Sequence, residues 1–141
     1  MAEEVILHAT SVACAGRALV ITGPSGAGKS DLALRLIALG AGLICDDRTR
    51  ILAQDDALWA HPAPNATGLI EARGLGLLPA PAAAPAPVAA LLDLAQMETD
   101  RLPIARNQML LGRPVPLLHK VTSPSFPAAL ILYLRKGRVA P

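Results

Sequence analysis

The chain has 141 residues, 52% of them hydrophobic but only Trp59, Tyr133 and Phe126 aromatic, and its 13 basic and 11 acidic residues leave a net charge of +2. That length provides for one domain, residues 1–141, with a core built from Ala, Leu, Val and Ile. It lacks the basic stripe interleaved with aromatics that a nucleic-acid surface needs, so no nucleic-acid partner is expected. The acidic start Met1-Ala2-Glu3-Glu4 is unlike a signal peptide, and the longest apolar stretch, Ala128 to Leu134, cannot span a bilayer; the expectation is a soluble, cytoplasmic protein that does not bind membranes. Cys14 and Cys45 have no metal-ligand spacing, and Cys45, within Leu43-Ile44-Cys45, reads as a small buried hydrophobe.

Val5 to Ala13 reads as a first strand and its continuation, with a turn at Gly16-Arg17. His8, taken alone, reads as a structural hydrogen-bonding group. Ala18-Leu19-Val20-Ile21-Thr22 is a short apolar strand, and it runs directly into Gly23-Pro24-Ser25-Gly26-Ala27-Gly28-Lys29-Ser30. Those eight residues match the phosphate-binding pattern G-x-x-x-x-G-K-[ST] in full. Glycines at these places let the backbone curl so that its N–H groups point inward at phosphate oxygens. Lys29 would reach the β and γ phosphates and Ser30 would offer its hydroxyl to Mg²⁺. A helix from Asp31 to Leu39, with Leu32, Leu36 and Leu39 on one face, would add its positive dipole end to the same place. The class predicted is α/β, a P-loop nucleotide-binding core with a mixed β-sheet flanked by helices.

Gly40 and Gly42 stop that helix, and a strand Gly42-Leu43-Ile44-Cys45 ends in Asp46-Asp47. Ligands of open α/β sheets sit beyond the carboxyl ends of the strands. If this strand lies beside the phosphate-loop strand, one carboxylate can help hold a metal and the other can act as general base. A strand and a hairpin turn at Gln54-Asp55-Asp56-Ala57 follow, which argues for a mixed sheet. In Leu69 to Leu78, Glu71 and Arg73 would share one face of an extended chain, with Glu71 placed to give Mg²⁺ a further oxygen.

Pro79 to Pro87 is low-complexity Pro/Ala sequence, an extended linker or mobile loop. Val88 to Leu94 returns as an apolar strand. Val115 to Val121, with two prolines nearby, Pro114 and Pro116, reads as an edge strand. A final helix runs from Ser125, a candidate cap, through Arg135 to a stop at Gly137, with Arg135, Lys136 and Arg138 at its end. His61 and His119 read as structural.

Taken together, His8, the phosphate loop, Asp46-Asp47-Arg48 and Glu71-Ala72-Arg73-Gly74-Leu75-Gly76 resemble the catalytic domain of bacterial HPr kinase/phosphorylase, over about half of the chain, from His8 to Leu78. The resemblance implies a fold related to phosphoenolpyruvate carboxykinase and a short form that begins almost at the catalytic domain. It also implies ATP-dependent phosphorylation of a serine of the phosphocarrier protein HPr or an HPr-like partner, reversed by phosphorolysis, in the regulation of sugar phosphotransfer and carbon metabolism. Carried over by residue, Asp47 would be the base, Lys29 would neutralise the phosphates, and Ser30 and Glu71 would bind Mg²⁺. His8 would orient the attacking group, Asp46 would support the cluster, and Arg73 to Gly76 would shape the acceptor side. A downstream catalytic arginine has two candidates, Arg106 and Arg113. Members of the family are usually hexamers, so a homo-oligomer is expected. Two readings stay open beside this one: a nucleotide-binding regulatory module without turnover, and a P-loop kinase of small molecules.

Overall fold

The computed structural model describes residues 3–139. In chain order the elements are β1 (Glu4–Leu7), β2 (Ala9–Cys14), β3 (Arg17–Thr22), α1 (Lys29–Ala38), β4 (Gly42–Cys45), β5 (Thr49–Gln54), β6 (Ala57–Pro62), β7 (Leu69–Ala72), β8 (Gly76–Pro79), β9 (Ala86–Met97), β10 (Asn107–Leu110), β11 (Arg113–Lys120) and α2 (Phe126–Lys136). Nine strands form one mixed sheet in the order β1-β5-β6-β9-β3-β2-β4, with β11 also pairing β9 and carrying β10, while β7 and β8 form a separate hairpin. The pairs β3/β9 and β9/β11 are parallel and the remaining pairs antiparallel. The mixed sheet expected from the hairpin at Asp55 is present.

Alternation along the central strands builds two cores, because successive side chains of a strand point to opposite faces. Leu19 and Ile21 of β3 meet Leu32, Ala33 and Leu36 of α1 and Leu130, Ile131 and Leu134 of α2. Ala18 and Val20 of the same strand turn the other way, toward Ile44, Ile51, Leu58 and Ala60. The helices thus cover one face of the sheet and the strands β5 and β6 fold over the other. With both faces buried, β3 has no freedom to slip its register, since a shift of one residue would exchange the two sets. Leu39, expected on the buried helix stripe, lies instead at the C-cap and is exposed.

The first apolar segment is divided at His8. Up to Leu7 the chain pairs with β5, and from Ala9 it pairs with β3, so His8 sits where the strand passes from one part of the sheet to another. Strand β11 is likewise shared: its first half, with Pro114 and Pro116, pairs with β10, and its second half, Leu117 to Lys120, pairs with β9. Each residue of β11 thus has a strand on one side only, as expected of an edge strand, and its prolines are confined to the half that faces β10. Ser125 occupies the N-cap of α2 without bonding the helix through its side chain; its hydroxyl pairs with that of Ser123 at 2.9 Å.

The Pro/Ala segment is extended but tied to the sheet rather than loose. Leu43 donates its N–H to Pro81 O at 2.7 Å and accepts from Ala83 N–H at 2.9 Å. The approach is close because Gly42 has no side chain: a Cβ there would lie 2.9 Å from both Ala83 Cβ and Ala83 N. Backbone cannot swing aside as a flexible side chain can. Gly42→Ala is therefore expected to lower the unfolding free energy by about 1–3 kcal/mol, the usual cost of overpacking, read as a fall in the urea midpoint at unchanged slope.

Candidate functional site

Strand β3 ends at Thr22, and the chain turns through residues 23–28 into α1. Gly26 and Gly28 stand at φ 85° and 100°, conformations that side-chain-bearing residues adopt only with strain. The turn is closed by Ala27 N–H donating to Pro24 O at 3.0 Å. Lys29 is only 7% exposed, and its ammonium donates to Gly23 O at 2.8 Å and Pro24 O at 3.3 Å. Those carbonyls hold the charge against the loop. The first N–H groups of α1 have no intrahelical acceptor, so they and the positive end of the helix dipole face the same space.

The condition that β4 lie beside β3 is not met in the sheet order: β2 lies between them, antiparallel to both. Strands β3 and β4 still run in the same direction, and their carboxyl ends reach the same edge of the sheet. Asp46, just beyond β4, crosses the gap. Its Oδ1 accepts hydrogen bonds from Ser30 Oγ at 2.7 Å and Thr10 Oγ1 at 2.8 Å, and its Oδ2 accepts from the Glu71 N–H at 3.1 Å. One carboxylate thereby joins the start of α1, strand β2 and strand β7.

Thr10 is fully buried and acts twice, because its Oγ1 also accepts the Asp47 N–H at 3.1 Å. Asp47 has φ 67°, which turns the chain sharply after Asp46. Its Oδ1 lies 3.3 Å from His8 Nδ1, with 52% of the His8 side chain and 63% of the Asp47 side chain exposed. The pair is open to solvent. Thr10 was not singled out from sequence: a Thr within a strand reads as a β-former, and only the pairing of β2 with β4 shows what its hydroxyl meets.

Glu71 belongs to β7, but Arg73 lies in the turn to β8, so the two do not share the face of one extended strand. Both nevertheless line one cavity of about 510 Å³ together with Ser25, Gly26, Gly28, Lys29, Ser30, Asp46 and Asp47. Neither Arg106 nor Arg113 lines it. Arg106 is held by the carboxylate of Glu98, and that hydrogen bond keeps the Glu98 carboxyl below the usual carboxylate range. Among the described residues no three His, Cys, Asp or Glu side chains are grouped to enclose a metal ion. The oxygens present suit a hard cation that keeps several waters and shares phosphate oxygens, as Mg²⁺ does. Nor is any helix among the described residues long and apolar enough to cross a membrane.

Comparison with known proteins finds relatives of this chain. Residues 1–83 match the family model described as HPr Serine kinase C-terminal domain. Proteins named HPr kinase/phosphorylase from Streptococcus thermophilus and Streptococcus pneumoniae are each 39% identical over 79 residues, 55% of this chain. The match takes in 26% and 25% of those two proteins, so the chain spans about a quarter of their length. The structure titled Hpr(Ser) kinase/phosphatase from Coxiella burnetii superposes over 93% of this chain and 88% of its own, with a TM-score of 0.78 and 24% identity. That likeness extends the shared fold through β9, β11 and α2, beyond the segment that the family model matches.

Removing the Thr10 hydroxyl tests the cluster. Thr10→Val keeps the shape and strand preference but takes a donor from the Asp46 carboxylate and leaves the Asp47 N–H unpaired. The expected loss of unfolding free energy is about 2 kcal/mol, with Thr10→Ser recovering most of it in the same denaturant titration.

Proposed function

The chain belongs to the HPr Serine kinase C-terminal domain family, and on that premise we propose that it transfers the γ-phosphoryl group of ATP to a serine hydroxyl of the phosphocarrier protein HPr or an HPr-like partner. Phosphate would reverse the reaction by phosphorolysis of the phosphoserine. The proposal places the enzyme in the cytoplasm, as a homo-oligomer, by likeness to the family. The observation that carries the reading is the Asp46 carboxylate bonded to Ser30 and Thr10, which sets Asp47 and the phosphate loop on one cavity.

The phosphate loop, residues 23–30, would hold the triphosphate through its N–H groups, with Lys29 exchanging its carbonyl partners for phosphate oxygens. Ser30 and Glu71 would hold Mg²⁺ together with phosphate oxygens, Asp46 keeping the Ser30 hydroxyl in place. Bound there, Mg²⁺ would neutralise charge developing on the phosphates. Asp47 would accept the proton of the acceptor serine as its oxygen bonds to phosphorus and the bond from phosphorus to the bridging oxygen breaks. In the reverse direction Asp47 returns the proton to the serine while pyrophosphate forms. His8, 3.3 Å from Asp47, would hold that carboxylate toward the acceptor, and Arg73, on the exposed turn, would meet the acceptor side.

Transfer of labelled γ-phosphate to purified HPr in the presence of Mg²⁺ tests the reading, followed by addition of phosphate to look for labelled pyrophosphate. Label on a serine of HPr is the expected result; tight ATP binding without label would favour a regulatory module. Asp47→Asn is expected to lower transfer by a factor on the order of 10² to 10⁴, the usual weight of a general base, with ATP affinity unchanged by calorimetry. An unaltered rate would remove Asp47 from the role of base. Lys29→Ala is expected to abolish nucleotide binding in the same titration.

A further inference from the structure

A second cavity, of about 350 Å³, lies beside the first. Both touch Gly28 and Asp31 at the start of α1. The second is bounded by Ala27 and Leu32 on the helix side, by Leu94 of β9, and by the segment that leads from Lys120 at the end of β11 into the first turn of α2. Its chemistry differs from that of the first. Its one acid, Asp31, is paired with Arg35 at 3.2 Å, so it offers no free carboxylate to serve as a base.

The direction of transfer decides what this cavity can receive. In phosphoryl transfer the attacking and leaving oxygens lie roughly in line on opposite sides of phosphorus. With the acceptor entering at Asp47, the leaving nucleoside diphosphate must extend away from Asp47, past the start of α1. We infer that the second cavity holds the nucleoside of the phosphoryl donor. The inference rests on the proposed function and adds to it a base subsite beside the phosphate loop, to which Leu94, Lys120, Thr122 and Phe126 come from beyond the segment that the family model matches.

The residues there suit a flat heteroaromatic ring with a polar edge. Leu32 and Leu94 are 8% and 9% exposed, and they provide an apolar surface with Pro127 beside them. Phe126, one of three aromatic residues in the chain, is half-buried at the same wall and offers a ring for stacking. Thr122 lies on the exposed segment opposite, and neither its backbone nor its hydroxyl has a hydrogen-bond partner among the described residues. Those groups are free to read the edge of a base. Lys120 lines the cavity without an acidic partner among the described residues, whereas Arg35 is paired, which leaves Lys120 as the cation for the phosphate nearest the nucleoside. The volume lies in the range of small-molecule sites.

Isothermal titration with ATP and with inorganic tripolyphosphate, both with Mg²⁺, tests the inference, because the two ligands differ by the nucleoside alone. The wild-type chain is expected to bind ATP the more tightly, and Phe126→Ala to lower ATP affinity about tenfold while tripolyphosphate affinity stays within about twofold, as loss of one stacking contact requires. Thr122→Trp, on the exposed segment, places an indole in the cavity without disturbing the core, and is expected to change ATP affinity and leave tripolyphosphate affinity as it was. Equal wild-type affinity for both ligands, unchanged ATP binding in both variants, or equal losses for both ligands would each overturn the inference, with the phosphate loop still standing. Failure of the wild-type chain to bind either ligand would remove the nucleotide reading as well.

Discussion

The carboxylate of Asp46 accepts three hydrogen bonds from three different parts of the chain, and the arrangement of the site depends on it. A carboxylate can accept this many donors because each oxygen carries two lone pairs, and charge makes each bond stronger than a neutral one. The partners are a hydroxyl at the start of a helix, a buried strand hydroxyl and the backbone of a hairpin. None of these elements is adjacent to another in sequence. Ser30 and Glu71, held by this one charged group, and Asp47, held through Thr10, keep fixed places relative to the loop without any one of them being deeply buried.

The site stands at an edge where the sheet changes direction. Strand β2 runs against both β3 and β4, and this returns the carboxyl ends of those two strands to one side with a strand's width between them. That width sets which side chains can meet. A glycine loop and a helix start project from β3, an aspartate pair projects from β4, and a residue of β2 fills the interval with a hydroxyl that serves both aspartates. Asp47 can then point outward to His8 while Asp46 points inward to Ser30.

Much of this was legible in the sequence where the signal is local. The strand, glycine turn and helix of residues 18–38 follow from contiguous residues whose conformations depend on their neighbours, and so do the β5–β6 hairpin and the stop at Gly137. The aspartate pair was legible as a strand end. What lay beyond reach was the order of strands, because pairing β2 between β3 and β4 is a long-range choice that leaves no periodic mark on any of the three. Thr10 is invisible for that reason. Arg73 was read on a strand because E-A-R alternates, yet Gly74 at φ 88° turns the chain there. Strand β11 was read as an edge from its prolines, and each of its halves does pair on one side only, though with different neighbours, so the missing N–H groups cost the pairing with β9 nothing.

The contact between β4 and the Pro/Ala segment has a consequence for how molecules of this protein meet one another. Strand β4 ends the main sheet, and an uncovered outer strand offers a row of backbone donors and acceptors to any passing chain. Here the segment after β8 lies along that border and takes up both backbone groups of Leu43. The segment itself carries Pro81 and Pro85, which have no N–H to extend a ladder. A stretch of low-complexity sequence thus acts as a selvedge, finishing this border of the sheet where a second chain would otherwise be woven onto it.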